Sequence, residues 1–198
     1  MDFKQTNRIF GFLALVISSI VYLMTVQDSV PFWDCGEFSA AAALQQVPHP
    51  PGAPLFLMIA KLFHLIPFGD PGWRINLVSV FSSSFTILFL YLITVKVINI
   101  FKGNIPANIS ETFAVCGSAF VGALAFTFSD TFWFNAVESE VYAMATLFVA
   151  IIVYLAMRWW EEADNEGHER YLILIAYLMG LSTGVHLLAI LAIFSLVY

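Results

Sequence analysis

The sequence predicts an all-α polytopic membrane protein, with about five transmembrane helices and short membrane-surface helices in its first exterior loop. Three observations carry this. The 198 residues are 60% hydrophobic and only 11% charged, whereas soluble domains are about 45–50% apolar and about 25% charged. Five apolar stretches approach the roughly 20 residues a helix needs to cross a bilayer core. The basic residues fall almost entirely on one side of those crossings. A disordered chain is excluded by the hydrophobicity. The net charge of -6 leaves no electrostatic footprint for nucleic acid. Two cysteines, Cys35 and Cys116, make neither a disulfide framework nor a zinc site.

The expected spans are Ile9–Val26, Ile75–Phe101, Thr112–Phe128, Val141–Trp160 and Tyr171–Tyr198. Lys4 and Arg8 precede the first. No small-residue cleavage site follows it, so an uncleaved anchor is expected. With the N-terminus inside, Lys4, Arg8, Lys96, Lys102, Arg158 and Arg170 all lie inside, and only Lys61 and Arg74 lie outside. The exterior segments are then 27–74 and 129–140. Pro54–Ile66 is too short to span and reads as a helix in the membrane surface, or alternatively as a short core-facing helix. Its Lys61 and His64, at i and i+3, form one polar stripe. The loop 161–170 is a solvated charged link. The sequon at Asn108 falls inside and is not expected to be glycosylated. Ser82-Ser83-Ser84, Gly117 and Gly122 suit close helix packing. The chain stops within an apolar run, so it reads as the N-terminal part of a longer protein.

Chemistry-bearing residues concentrate outside. Asp34 and Glu37, in Trp33-Asp34-Cys35-Gly36-Glu37-Phe38, share a face if a helix starts near Trp33. Asp34 could equally be an N-cap. Apolar neighbours Phe32, Trp33 and Phe38 are expected to desolvate these carboxylates and raise their pKa. His49 follows on a segment stiffened by Pro48, Pro50, Pro51 and Pro54. It is either a surface residue or a binding group on a rigid loop. Arg74 breaks the charge bias, either as an interfacial anchor beside Trp73 or as a phosphate ligand. Glu138 and Glu140 abut the fourth span. As helical residues two apart they would not share a face, so one of them is expected to meet the first loop. His186 lies in Gly180-Leu181-Ser182-Thr183-Gly184-Val185-His186, and an ionisable residue within a span is a functional candidate.

Four segments together resemble a known family: Trp33 to Phe38, His49-Pro50-Pro51-Gly52, Asn135 to Tyr142, and Gly180 to His186. They look like the bacterial domain-of-unknown-function family numbered 2723, related to protein O-mannosyltransferases within the GT-C superfamily of membrane glycosyltransferases. The resemblance implies that residues 1–198 are part of a GT-C-like helical bundle. It implies a polyprenyl-phosphate-linked sugar donor, with mannose as the sugar. It also implies a hydroxyl acceptor on protein Ser/Thr or on a glycan, and an essential acid in the first exterior loop. O-Mannosyltransferases carry adjacent Asp and Glu there. Here Cys35-Gly36 separates Asp34 from Glu37, so which acid corresponds stays open, and Asp34 is the choice. The implied location is a bacterial inner (plasma) membrane, multi-pass, with a cytoplasmic N-terminus.

The expected scheme is inverting transfer. Asp34 deprotonates the acceptor hydroxyl and Glu37 orients it or shares the proton network. Arg74, with His49 and Lys61 behind it, stabilises the leaving phosphate. Glu138, Glu140 and His186 complete the substrate cavity. No metal is required, although the carboxylates could hold a divalent cation such as magnesium. The alternative is a transporter or proton-coupled carrier using His186 and the Glu138/Glu140 pair. A decisive test of sidedness would be labelling Cys35 from outside.

Overall fold

The computed structural model describes residues 2–196 and is helical, with no strand among the described residues. Eight α-helices follow one another: α1 (Phe3–Thr25), α2 (Asp34–Leu44), α3 (Pro54–His64), α4 (Pro71–Lys102), α5 (Ile109–Thr127), α6 (Asp130–Ala136), α7 (Val141–Glu161) and α8 (Glu169–Ser182). A 3-10 segment, Leu187–Leu196, closes the described chain. Four helices are long and apolar enough to cross a membrane: α1, α4, α5 and α7.

Helix α4 is the axis of the bundle and packs against α1, α5, α7 and α3. Its start is encoded locally. Asp70 caps it by accepting from the Gly72 N–H, and Pro71 supplies the first helical residue. Ser79, Ser82, Ser83 and Ser84 are buried along it, as close packing requires. Gly117 and Gly122 do not share that role, because a Cβ at either would meet nothing within 4 Å. On α5 the close contacts fall to Cys116, Ala119 and Ala123, which are fully buried. Asn108 is the α5 N-cap and accepts from the Glu111 N–H.

The fifth expected span is divided. Helix α8 ends at Ser182, and the Thr183-Gly184-Val185-His186 stretch precedes the 3-10 segment. Ser182 and Thr183 donate their hydroxyls to the carbonyls of Met179 and Gly180. Such back-bonds compete with the helical ladder and favour a tight last turn. Gly184 lies against Leu55, whose N–H donates to the Gly184 carbonyl at 2.8 Å. The break therefore docks on the start of α3. Val197 and Tyr198, at the end of the expected span, lie outside the described residues.

The α1 C-terminus, α4 N-terminus, α5 C-terminus and α7 N-terminus meet at one end, here termed the loop end, where residues 27–70 and 128–140 gather. The Gln27 N–H donates to the Val137 carbonyl, and Asn76 donates from Nδ2 to the carbonyls of Gln27 and Ser29. Gly72 is required here, since a Cβ would come within 2.4 Å of the Val30 nitrogen. Helix α3 buries Phe56, Leu57 and Ala60 and exposes Met58 and Leu62. It is a short helix with one face on the bundle and one apolar face outward, so it combines both readings of Pro54–Ile66.

Candidate functional site

Helix α2 begins at Asp34, so Asp34 is its first residue and not its cap. The N-cap is Trp33, at φ 63°, with no side-chain cap bond. Asp34 and Glu37 occupy the first turn, where the helix dipole favours negative charge. Phe32 and Trp33 point outward, 86% and 88% exposed. They therefore do not desolvate Asp34, which is itself exposed. Only Phe38 is buried beneath the site.

The proline-rich segment brings His49 back onto this turn. Its backbone N–H donates to Glu37 Oε1 at 2.6 Å, and its Nδ1 lies 2.6 Å from Glu37 Oε2. Its ring packs 5.6 Å from Phe38. One ligand atom each from Asp34, Glu37 and His49 fall within 4.8 Å of one another. Both Glu37 oxygens are thus engaged, whereas no hydrogen bond to the Asp34 carboxylate occurs among the described residues.

The segment 129–140 corrects the expectation for Glu138 and Glu140. Residues 138–140 are not helical. Both carboxylates turn towards Cys35, whose Sγ lies 3.6 Å from Glu138 Oε2 and 3.3 Å from Glu140 Oε1. The physical reason is local: the Glu140 N–H donates to the Glu138 carbonyl at 2.8 Å, a three-residue turn to which helical spacing does not apply, and both carboxylates come round to one thiol. Ser139 completes the seam through the Ser39 hydroxyl, at 3.0 Å, and the Cys35 carbonyl. Cys35 is fully buried, so it cannot report sidedness by labelling.

His186 lies beyond the helix break rather than inside a span. Its Nδ1 accepts from the Leu188 N–H at 3.1 Å, which leaves Nε2 to carry the proton of the neutral ring. The ring lies 5.0 Å from that of Tyr142. A small cavity of about 60 Å³ is lined by Asp34, His49, Glu140, Tyr142 and His186, with Phe38 among its apolar walls.

Four of the eight expected residues thus line one cavity. Glu37 stands behind His49, and Glu138 stands behind Cys35. Lys61 and Arg74 are elsewhere. Lys61 donates to the Ala43 carbonyl at 2.6 Å, near the α2 C-terminus. The Arg74 guanidinium donates to the carbonyls of His64, Ile66 and Gly69. It closes the end of α3 and the turn after it, so the structure does not bring it to Asp34. Carbonyls left open at a helix end draw nearby cations for this purpose. Sequence reasoning missed Tyr142, Cys35 and Ser139 as members of the constellation. Tyr142 carried a signal, lying two residues after Glu140 at the start of α7. The Cys35 and Ser139 contacts cross about a hundred residues and carried none.

Electrostatics separate the acids. The hydrogen bonds from His49 hold Glu37 below the usual carboxylate range. The Glu37 hydrogen bond raises the His49 pKa against its desolvation, with Asp34 and Glu140 adding attraction. Glu138 and Glu140 are raised by burial, against the Cys35 hydrogen bond, and Glu140 also by the charge of Asp34. Burial and the two adjoining carboxylates push the Cys35 thiol upward, so it stays protonated and donates. The site therefore combines an open carboxylate, an imidazole–carboxylate pair in which the imidazole pKa is raised, and a buried and a half-buried acid whose pKa values are both raised. Such an arrangement can accept a proton from a hydroxyl and hold an anion on the imidazolium. Asp34, Glu37 and His49 also offer the donor types that a divalent cation takes.

The bundle and its acid–imidazole mouth define a helical polytopic membrane protein with its polar chemistry collected at one end. The chain belongs to the protein O-mannosyl-transferase TMEM260 N-terminal domain family, whose sequence model matches residues 34–198. It is 31% identical over 162 residues to the protein O-mannosyl-transferase tmem260 of Dictyostelium discoideum, covering 80% of this chain and 18% of that protein. It is 29% identical over 184 residues to the protein O-mannosyl-transferase TMEM260 of Mus musculus, covering 90% of this chain and 24% of that protein. The chain thus spans about a quarter or less of the length of these relatives. Both relatives are eukaryotic, so they give no support to the bacterial membrane that the sequence resemblance implied; integral membrane character is what agrees. No solved structure matches the chain.

Proposed function

We propose that this chain forms part of the transfer site of a membrane glycosyltransferase that moves a mannosyl group from a polyprenyl-phosphate donor to a protein Ser/Thr hydroxyl. The acceptor oxygen attacks the anomeric carbon from the face opposite the phosphate. The bond from that carbon to the phosphate oxygen breaks, and its electron pair leaves with the polyprenyl phosphate. The hydroxyl proton passes to Asp34. Backside displacement inverts the anomeric centre.

The observation that carries this reading is the open carboxylate of Asp34 in a cavity shared with His49, Glu140 and His186. Glu37 is unsuited to be the base, because both its oxygens bind His49. It serves as a positioning residue whose hydrogen bond favours the cationic form of His49. His49, rather than Arg74, is then the cation for the leaving phosphate. Tyr142 and Glu140 form the wall against which a sugar would lie. A divalent cation held by Asp34, Glu37 and a neutral His49 would replace the imidazolium as the source of positive charge, because a ring that ligates a metal carries no proton on the ligating nitrogen. The scheme uses the imidazolium, so chelation should leave activity intact, and loss of transfer on chelation would favour the metal. The charge bias supports the orientation proposed here, a cytoplasmic N-terminus with the cavity on the exterior face, because the basic residues gather at the end opposite the cavity.

The test uses the full-length protein in proteoliposomes, with polyprenyl-phosphate mannose and an acceptor peptide. Asp34→Asn should abolish transfer while the melting temperature holds. Wild-type turnover in that variant would exclude Asp34 as the base. Sidedness is read at Val47, 89% exposed, as Val47→Cys with an impermeant maleimide. Reaction only from the cytosolic side would overturn the orientation.

A further inference from the structure

At the other end of the bundle lies a cleft of about 890 Å³ between the start of α1, the end of α4 and the end of α7. Its lining carries four cations, Lys4, Arg8, Lys96 and Arg158, and one acid, Glu161. That is a net charge of +3 in a chain whose overall charge is -6.

The four cations are not equally engaged. Lys96 lies 2.5 Å from Glu161 and 5.3 Å from the Tyr154 ring centroid. Arg158 pairs with Glu162, the residue that caps α7, and reaches Glu161 at 3.8 Å. Lys4 and Arg8, at i and i+4 on α1, are exposed and have no acidic partner among the described residues. Asn7 and Asn99 also line the cleft, and the side-chain oxygen of each is buried without a hydrogen-bond partner. The wall therefore has uncompensated positive charge and unmet hydrogen-bonding capacity together. It lies at the ends of three helices long and apolar enough to cross a membrane, where basic side chains meet the headgroup layer in such proteins.

We propose that this cleft binds the phosphate ester of an anionic lipid headgroup, seated by Lys4 and Arg8 from α1 against Lys96 and Arg158. Arginine offers a planar fork that fits two phosphate oxygens, and lysine adds a point charge. Hydroxyls on the headgroup would give the Asn7 and Asn99 oxygens the donors they lack. The site is remote from the Asp34 cavity and takes no part in the transfer chemistry.

The test is a binding measurement, independent of catalysis. Full-length protein in neutral detergent is melted while short-chain phosphatidylglycerol, short-chain phosphatidylcholine or inorganic phosphate is added. Phosphatidylglycerol should raise the melting temperature saturably, and phosphatidylcholine should not. Each basic residue near a membrane surface changes affinity about 5-fold. Lys4→Gln with Arg8→Gln should therefore weaken phosphatidylglycerol roughly 25-fold. Lys102→Gln, which removes a charge at the same end but outside the cleft lining, should change it less than about 2-fold. Lys4→Arg with Arg8→Lys keeps both charges and should keep binding, which separates charge from misfolding. Saturable protection by inorganic phosphate, lost in the glutamine pair, would support the phosphate site and identify its source as soluble. Absence of any saturable protection, or equal losses in Lys102→Gln and the glutamine pair, would overturn the proposal.

Discussion

The two ends of the bundle handle charge in opposite ways. At the loop end, acids and imidazoles are fixed by contacts between segments far apart in sequence. The Glu37–His49 pair crosses 12 residues and the Cys35–Glu138 contact crosses 103. At the N-terminal end, cations sit on the ends of long helices, and their pairs are exposed or partly exposed, such as Lys96–Glu161 and Lys102–Glu111. The difference teaches where position is controlled. Exposed pairs between helix ends contribute about 0–1 kcal/mol and leave side chains free to rearrange. The first turn of α2, bound to His49 through Glu37 and to Ser139 through the Cys35 carbonyl, holds Asp34 in one place, which proton transfer needs.

Substitutions at the two ends should therefore separate. The largest effect is expected from Asp34→Asn, a loss of about 10²–10⁴-fold in mannosyl transfer, with thermal stability unchanged. An equal loss in Lys102→Gln would erase the contrast between the ends. Next is Arg74→Ala. Its guanidinium bonds three backbone carbonyls, and hydrogen bonds from a charged group contribute about 1.5–3 kcal/mol each when well placed. Because the site is partly exposed, a total loss of about 2 kcal/mol is expected. Denaturant unfolding should show it, with the KM for the lipid donor little changed. A large KM change with no loss of stability would restore Arg74 to the phosphate.

A pH profile sharpens the comparison further. His49 is raised above its ordinary value of 6.5, so its cationic form and its pair with Glu37 are complete below that value. Both are lost as pH rises through the raised value. Glu37 is lowered from its ordinary 4.5, so its share of the pair is present above 4.5 and is lost as pH falls through the lowered value. Transfer should therefore fall on the alkaline side as His49 deprotonates. Glu37→Gln should move that alkaline limb towards pH 6.5. An unmoved limb would mean that His49 is not the group being titrated.

The smallest effect is expected at Glu138, which is buried with its pKa raised. A carboxyl kept neutral by the fold supports stability below 4.5, and that support declines as pH rises through the raised value. Glu138→Gln should flatten this decline and change stability at neutral pH by under about 1 kcal/mol. Unfolding measured between pH 4 and pH 8 checks it.

Much of this was legible in sequence. Span lengths, the segregation of basic residues and the interruption of helix by prolines at 48–54 depend on composition and local pattern. The bilayer allows few alternatives to a helix for an apolar run. The Asp70-Pro71 start of α4 follows a local rule too, although the expected span began only at Ile75. The alignment of Asp34 with Glu37 followed from helical spacing alone. Tertiary structure decided the rest. Periodicity could not show that 138–140 forms a turn that aims both acids at one thiol, because the groups that receive it, Cys35 and Ser39, lie on a distant helix. It could not show that Arg74 and Lys61 would be drawn to carbonyls at helix ends, because those acceptors exist only once α2 and α3 have packed. Nor could it show the break at 183–186, which docks on Leu55. A sequence fixes which groups are available and which local shapes are cheap, whereas the partner of a polar side chain depends on what the folded chain brings within about 3 Å of it.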